Sequence, residues 1–171
     1  MSLVSEISAL ATAVGAAIKA HTTGFHGGEA GRGIVAISGS PANSTTTLAD
    51  VTGLSFPVVA GARYAFKFVI PFSTSNAASA ATFGLNGPPL TQLNSRVLVP
   101  LSATAVTARH SAAYGAPAAT GASAATTGNV ATIEGVIQTS AAGNVIARFA
   151  SENTGTITVL PGAHVEWIKF T

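Results

Sequence analysis

Hydrophobic and polar residues alternate with two different periods along this chain. In the first twenty residues, apolar side chains recur at intervals of three or four, which is the period of an amphipathic helix. Ser2 is placed to cap the start of that helix, and Lys19 lies near its end, where a positive charge favours the helix dipole. The pattern predicts a short helix in residues 1–20. Its apolar positions, and its predicted attachment residues, are Leu3, Ile7, Leu10, Val14 and Ile18.

This helix needs a partner, because a helix of about twenty residues is only marginally stable alone in water. Two heptads are too few to distinguish the seam of a coiled coil from a helix packed on its own domain. Both interpretations stay open from the sequence.

From residue 50 onward the period changes to two. In the segment ARYAFKFVIPF, large apolar side chains fall on alternate positions and smaller or charged ones lie between them. This alternation predicts a half-buried strand. Further strands are predicted at 81–85, 96–101, 130–138, 144–151, 156–160 and 163–170. Short strands, glycine-rich turns and a single helix indicate a mostly β fold, an antiparallel jelly roll or β-sandwich with a short N-terminal α-helix.

The remaining segments are rich in Gly, Ser, Thr and Ala. Residues 21–49 are interpreted as a linker with one short strand at 34–37, and residues 102–128 as surface loops with a weak strand. The predicted organisation is an N-terminal attachment helix (1–20), a linker (21–49) and a β jelly-roll domain (50–171).

The chain ends with aromatic and aliphatic residues, where most chains become polar and frayed. On a strand there, Val165 and Trp167 would face one way, and Ile168 and Phe170 the other. Covering both faces requires the core of the subunit and a second surface, which a homotrimer would supply. The alternative is that Ile168 packs under the N-terminal segment. The predicted core and trimer-interface residues are Tyr64, Phe66, Phe68, Val165, Trp167, Ile168 and Phe170.

Two similar segments, FPVVAGARY and ITVLPGAHV, lie near the start and the end of the β region. Pro161 and Gly162 occupy the two central positions of a four-residue turn, which is the type II arrangement with positive φ at the glycine. The similarity predicts two equivalent turns and a fold in which the first and last strands are neighbours.

Composition favours a protein that belongs to a larger assembly. Charged residues make up 8% of the chain, far below the roughly 25% of an ordinary soluble domain. The chain has eight Lys and Arg against six Asp and Glu, and the basic residues are scattered singly. Nucleic-acid binding, which needs clustered positive charge, is therefore not expected. No apolar segment reaches the roughly 20 residues of a membrane-spanning helix, and no signal peptide is recognisable. We therefore expect synthesis in a cytoplasm and no membrane partner.

Candidate chemistry is sparse. His21, His26 and Glu29 could be drawn as a metal cluster, but their spacing on a glycine-rich segment fixes no geometry. The candidate carboxylates stand in no recognisable catalytic motif, and no nucleophile elbow or phosphate-binding loop is present. We expect no catalytic, cofactor-binding or metal residue, and a non-enzymatic protein. A carbohydrate-active enzyme is the remaining alternative, and its carboxylates would come from a set that includes Glu134, Glu152 and Glu166.

The segment SEISALATAVGAAIKA resembles the short helix that opens many tail-fibre and minor-tail proteins of phages infecting high-GC actinobacteria. The segments GLSFPVVAGARYAFKFVIPF and TGTITVLPGAHVEWIKF resemble the small β-domain of phage virion surface proteins. Their layout is similar to trimeric jelly rolls of the tumour-necrosis-factor and C1q type. The resemblance implies a homotrimeric structural protein of the virion, assembled in the host cytoplasm and released by lysis.

Within that class, the short chain and its single globular domain favour a capsid decoration protein or head fibre. Its partner would be another virion protein, the major capsid protein or a tail protein. The alternative is a minor tail protein or receptor-binding tail tip, in which the loops at residues 73–80 and 102–128 would contact a glycan on the host surface.

Overall fold

A computed structural model describes residues 2–26, 31–115, 126–153 and 155–170. These residues form one helix, α1 (Leu3–His26), and eleven strands. The strands are β1 (Arg32–Ala36), β2 (Ala42–Asn43), β3 (Ala49–Val58), β4 (Arg63–Thr74), β5 (Ala81–Asn86), β6 (Leu90–Pro100), β7 (Val106–Ser111), β8 (Asn129–Thr139), β9 (Gly143–Ser151), β10 (Ile157–Val159) and β11 (His164–Lys169).

The strands form two antiparallel sheets that pack face to face, so the predicted β-sandwich with an N-terminal helix is confirmed. The larger sheet has the order β1-β11-β4-β8-β6-β7, and β10 joins it by pairing with β4 and β2. The smaller sheet has the order β3-β9-β5. The first strand of the chain, β1, pairs with the last one, β11, although the sequence placed β1 in a linker.

β4 supplies the centre of the core. Its alternate residues from Tyr64 to Phe72 are buried, as the period of two predicted. From the smaller sheet, the fully buried Phe56 lies against them, with its ring centroid 5.8 Å from that of Phe66 and 6.0 Å from that of Phe68. Aromatic side chains bury roughly 150–250 Å² each, so this cluster accounts for a large share of the hydrophobic stabilisation.

The two similar segments form matching turns. The amide of Ala62 donates to the carbonyl of Val59 at 3.3 Å, and the amide of Ala163 donates to the carbonyl of Leu160 at 3.2 Å. Gly61 and Gly162 have φ values of 77° and 89°. The predicted positive φ at Gly162 is therefore confirmed. Glycine suits both positions because it lacks the Cβ that disfavours this conformation.

The structure corrects the predicted boundaries. α1 continues to His26, and the sandwich begins at Arg32 instead of residue 50, because β1 and β2 pair with β11 and β10. This polar segment is held by hydrogen bonds as well as by apolar burial. The side-chain amide of Asn43 donates to the carbonyls of Thr47 and Phe149, both at 2.9 Å.

Candidate interaction surfaces

α1 presents an apolar stripe that the other described residues do not cover. The predicted cap is observed, since the amide of Ser5 donates to the hydroxyl of Ser2 at 3.3 Å. With 24 residues the helix is about 36 Å long. The five predicted attachment residues and Val4 are 48–73% exposed. The sandwich therefore is not the partner that the helix needs.

The stripe is wider than a two-stranded coiled-coil seam. Leu3, Ile7, Leu10 and Val14 alternate at intervals of four and three, and Val4 and Ile18 lie beside them on the same face. With the small Ala11 counted, the stripe occupies three positions in each of the first two heptads instead of two, which is typical of a helix that packs on a broad surface.

The structure separates the seven predicted core and interface residues into two groups. Tyr64, Phe66, Phe68, Val165 and Trp167 are buried inside the sandwich, and they are not available to another subunit. Ile168 and Phe170 are 51% and 42% exposed. The two faces of the last strand thus differ as predicted, but one of them is open. Ile168 lies beside Arg32 on β1, and the described residues of the N-terminal segment leave it half exposed.

A row of charged side chains crosses the outer face of the larger sheet. The register places Arg96 beside Glu134, Glu134 beside Lys67, and Lys67 beside Glu166. Arg96 and Glu134 form an ion pair. The row continues to His110 on one edge strand and to Ile34 on the other. We call these six residues the central row.

Mostly apolar rows lie on both sides of the central row. One contains Val136, Ala65 and Ile168, and the other contains Leu98, Thr132 and Val69. These side chains are half-buried or exposed. A shallow depression opens between β1, β11 and β4, and the small side chain of Ala65 forms part of its lining. The outer face is therefore a broad surface with mostly apolar rows on both sides of the central row, and Arg32 lies beside Ile168 at its β1 edge.

The candidate carboxylates are not brought together as a pair. Glu134 is ion-paired with Arg96, and Glu166 lies two strands away with Lys67 between them. Glu152 follows the end of β9, where its backbone amide donates to the carbonyl of Ala80 at 2.9 Å.

Burial raises the pKa of Tyr114 to about 12, so its hydroxyl stays protonated at neutral pH.

Within the described residues, no group of three or more metal-ligating side chains is found. Glu29 and the side chains of His21 and His26 lie outside the described part of the chain. The described helix also lacks the apolar length that crossing a lipid bilayer requires.

Neither a protein-family model nor a curated protein matches the chain. Solved structures that resemble it include the VP2 protein of infectious bursal disease virus, as a single-site mutant in derived T=1 particles and as a subviral particle. Their sequence identities are 11% and 10%, and their TM-scores are 0.24 and 0.22. Each comparison covers 81% of this chain, which spans 39% and 40% of the two structures. These scores are too low to carry an argument about function.

Proposed function

We propose that the chain is a non-enzymatic structural protein of a virus particle, attached through α1 and displaying its β-sandwich at the particle surface. The observation that carries this proposal is the uncovered apolar stripe on α1. A helix with its apolar residues in water gains most of its stability when a partner covers those residues.

The stripe can supply enough free energy for attachment. Full burial of a large aliphatic side chain contributes about 1.5–3 kcal/mol. Four of them, Leu3, Ile7, Leu10 and Val14, would contribute roughly 6–12 kcal/mol before the costs of association are subtracted. Because the stripe is three heptad positions wide, its partner is a groove or a broad apolar surface instead of a single helix.

The kind of particle follows from the resemblance of this helix and of the β region to phage virion proteins. We take the partner to be the major capsid protein, which makes the chain a decoration protein or head fibre. The low content of charge supports a place in an assembly, where less of the surface has to remain in water.

The positions of the carboxylates support a role without catalysis. A glycosidase needs two carboxyl groups that flank an open space for the scissile bond. Here Glu134 is bound to an arginine, and Glu166 is separated from it by the strand that carries Lys67.

Attachment is tested by placing a charge on the stripe. We expect Leu10→Asp to weaken binding to particles that lack the protein by at least about tenfold, because a carboxylate would have to be buried in an apolar contact. Co-sedimentation of the purified full chain with such particles measures this. Ala9→Asp is the matched control, since it adds the same charge one residue away and off the stripe, and it should bind as the wild type does.

Circular dichroism should show equal helix content in the two variants. If Leu10→Asp binds particles as well as Ala9→Asp does, attachment does not use the stripe, and the proposed role of α1 is wrong.

A further inference from the structure

The central row has an unusual distribution of charge for a chain with so few charged residues. Two of the eight basic residues and two of the six acidic ones stand side by side on adjacent strands, in the order Arg96, Glu134, Lys67 and Glu166. Their signs alternate along the row. Neighbouring cross-strand pairs of opposite sign stabilise a sheet modestly. A row of alternating charges is also complementary to a reversed copy of itself on a second subunit.

Along the main strand order, the sheet has equal numbers of strands on both sides of the boundary between β4 and β8, and the short strands β10 and β2 extend it at one end of β4. Three strands lie on each side, β4, β11 and β1 on one and β8, β6 and β7 on the other. Consider a two-fold axis that runs parallel to the strands at this boundary. It would place the outer face of a second copy against that of the first, with the strand order of the second copy reversed. Lys67 of one copy would then face Glu134 of the other, and Arg96 would face Glu166. All four charges would meet an opposite charge.

Other face-to-face arrangements do not match in this way. An axis along the row would place each charge opposite its own copy, for example Lys67 against Lys67. Like charges in such contacts are unfavourable, and they reject an incorrect partner or orientation. The row thus selects one symmetric arrangement.

The shapes of the neighbouring rows agree with that arrangement. The same two-fold axis places Val136 of one copy over Ala65 of the other, where the shallow depression lies. It also places Val69 opposite Thr132, so small apolar and methyl-bearing groups meet on both sides of the charges. Each contact occurs twice, as a two-fold interface requires.

The area is sufficient for a specific contact. Six strands about 4.8 Å apart, each contributing about seven residues of roughly 3.4 Å, cover roughly 700 Å² per copy. Two copies would bury on the order of 1,400 Å², which lies within the range of stable protein–protein interfaces. Stacked sheets lie about 10 Å apart, a gap that lysine, arginine and glutamate side chains can bridge.

We propose that the outer face of the larger sheet binds a second copy of this chain, forming a two-fold dimer whose register is set by the central row. This inference does not depend on α1 or on the proposed role in a virus particle. It also differs from the homotrimer implied by the resemblance, because a three-fold ring would not use the self-complementarity of this face.

Two opposite charge reversals test the dimer. We expect the full chain to sediment as a dimer, and Lys67→Glu and Glu134→Lys each to raise the dimer dissociation constant at least about tenfold. In each variant alone, both central contacts would join like charges. An equimolar mixture should dimerise again with an affinity close to that of the wild type. In the mixed dimer the two substituted side chains would face each other with opposite signs, and the native Lys67 would face the native Glu134.

Arg109→Glu is the control, since it makes the same change of charge on β7 with its side chain on the opposite side from His110. It should leave the dissociation constant unchanged. A monomer at about 100 μM, a trimer insensitive to Lys67→Glu, or a mixture no tighter than the separate variants would each overturn the proposal.

Discussion

Replacing Trp167 with alanine is expected to lower the free energy of unfolding by about 3–5 kcal/mol, the usual cost of removing a large buried aromatic side chain. Trp167 is 6% exposed, and its ring stacks on Phe56 with centroids 5.5 Å apart and an interplanar angle of 21°. It therefore joins the last strand to the smaller sheet. Urea unfolding followed by circular dichroism measures the loss.

Ile168→Ala is the matched control. Ile168 is the next residue on the same strand, points to the outer face and is half exposed. At a protein concentration low enough to prevent association, its replacement should cost less than about 1 kcal/mol. Equal costs for the two variants would mean that β11 does not present Trp167 to the core.

The sequence was sufficient to predict β4 and the two turns, because the signals that determine them are local. The five large side chains from Tyr64 to Phe72 follow a strict period of two, and a strand with that pattern has one face to bury. The turns depend on single residues, since Gly61 and Gly162 lie where a positive φ is needed. Local signals of this kind can be recognised in the sequence without knowing which strands pair.

β1 could not be predicted as a member of the large sheet, because its role depends on contacts with the far end of the chain. Gly33 looks like a linker residue, but a Cβ there would lie 2.5 Å from the ring of Trp167. The glycine lets β1 lie close to that ring. The sequence separates these two residues by more than a hundred positions, so no local pattern connects them.

The two candidate surfaces differ in the same way. The stripe on α1 follows from helical periodicity, so its residues were predicted correctly as an apolar face, while its attachment role stays a prediction. The central row was missed, because Lys67, Arg96, Glu134 and Glu166 become neighbours only through the register of four strands. Each appears in the sequence as an isolated charge.

The largest effect is expected from removing β1 and β2. A fragment of residues 31–171 should unfold cooperatively like the sandwich of the full chain, whereas a fragment of residues 50–171 should not fold cooperatively. The shorter fragment loses all five β1–β11 residue pairs, the contact between Gly33 and Trp167, and the hydrogen bond from Asn43 to Phe149.

We expect this loss to be comparable with the total stability of a small domain, about 5–15 kcal/mol. β11 would also become an exposed edge strand with an uncovered tryptophan, which promotes aggregation. Circular dichroism, urea unfolding and size-exclusion chromatography compare the two fragments directly. If residues 50–171 unfold at the same urea concentration as residues 31–171, the segment from Arg32 to residue 49 stabilises nothing and is a linker, as the sequence first indicated.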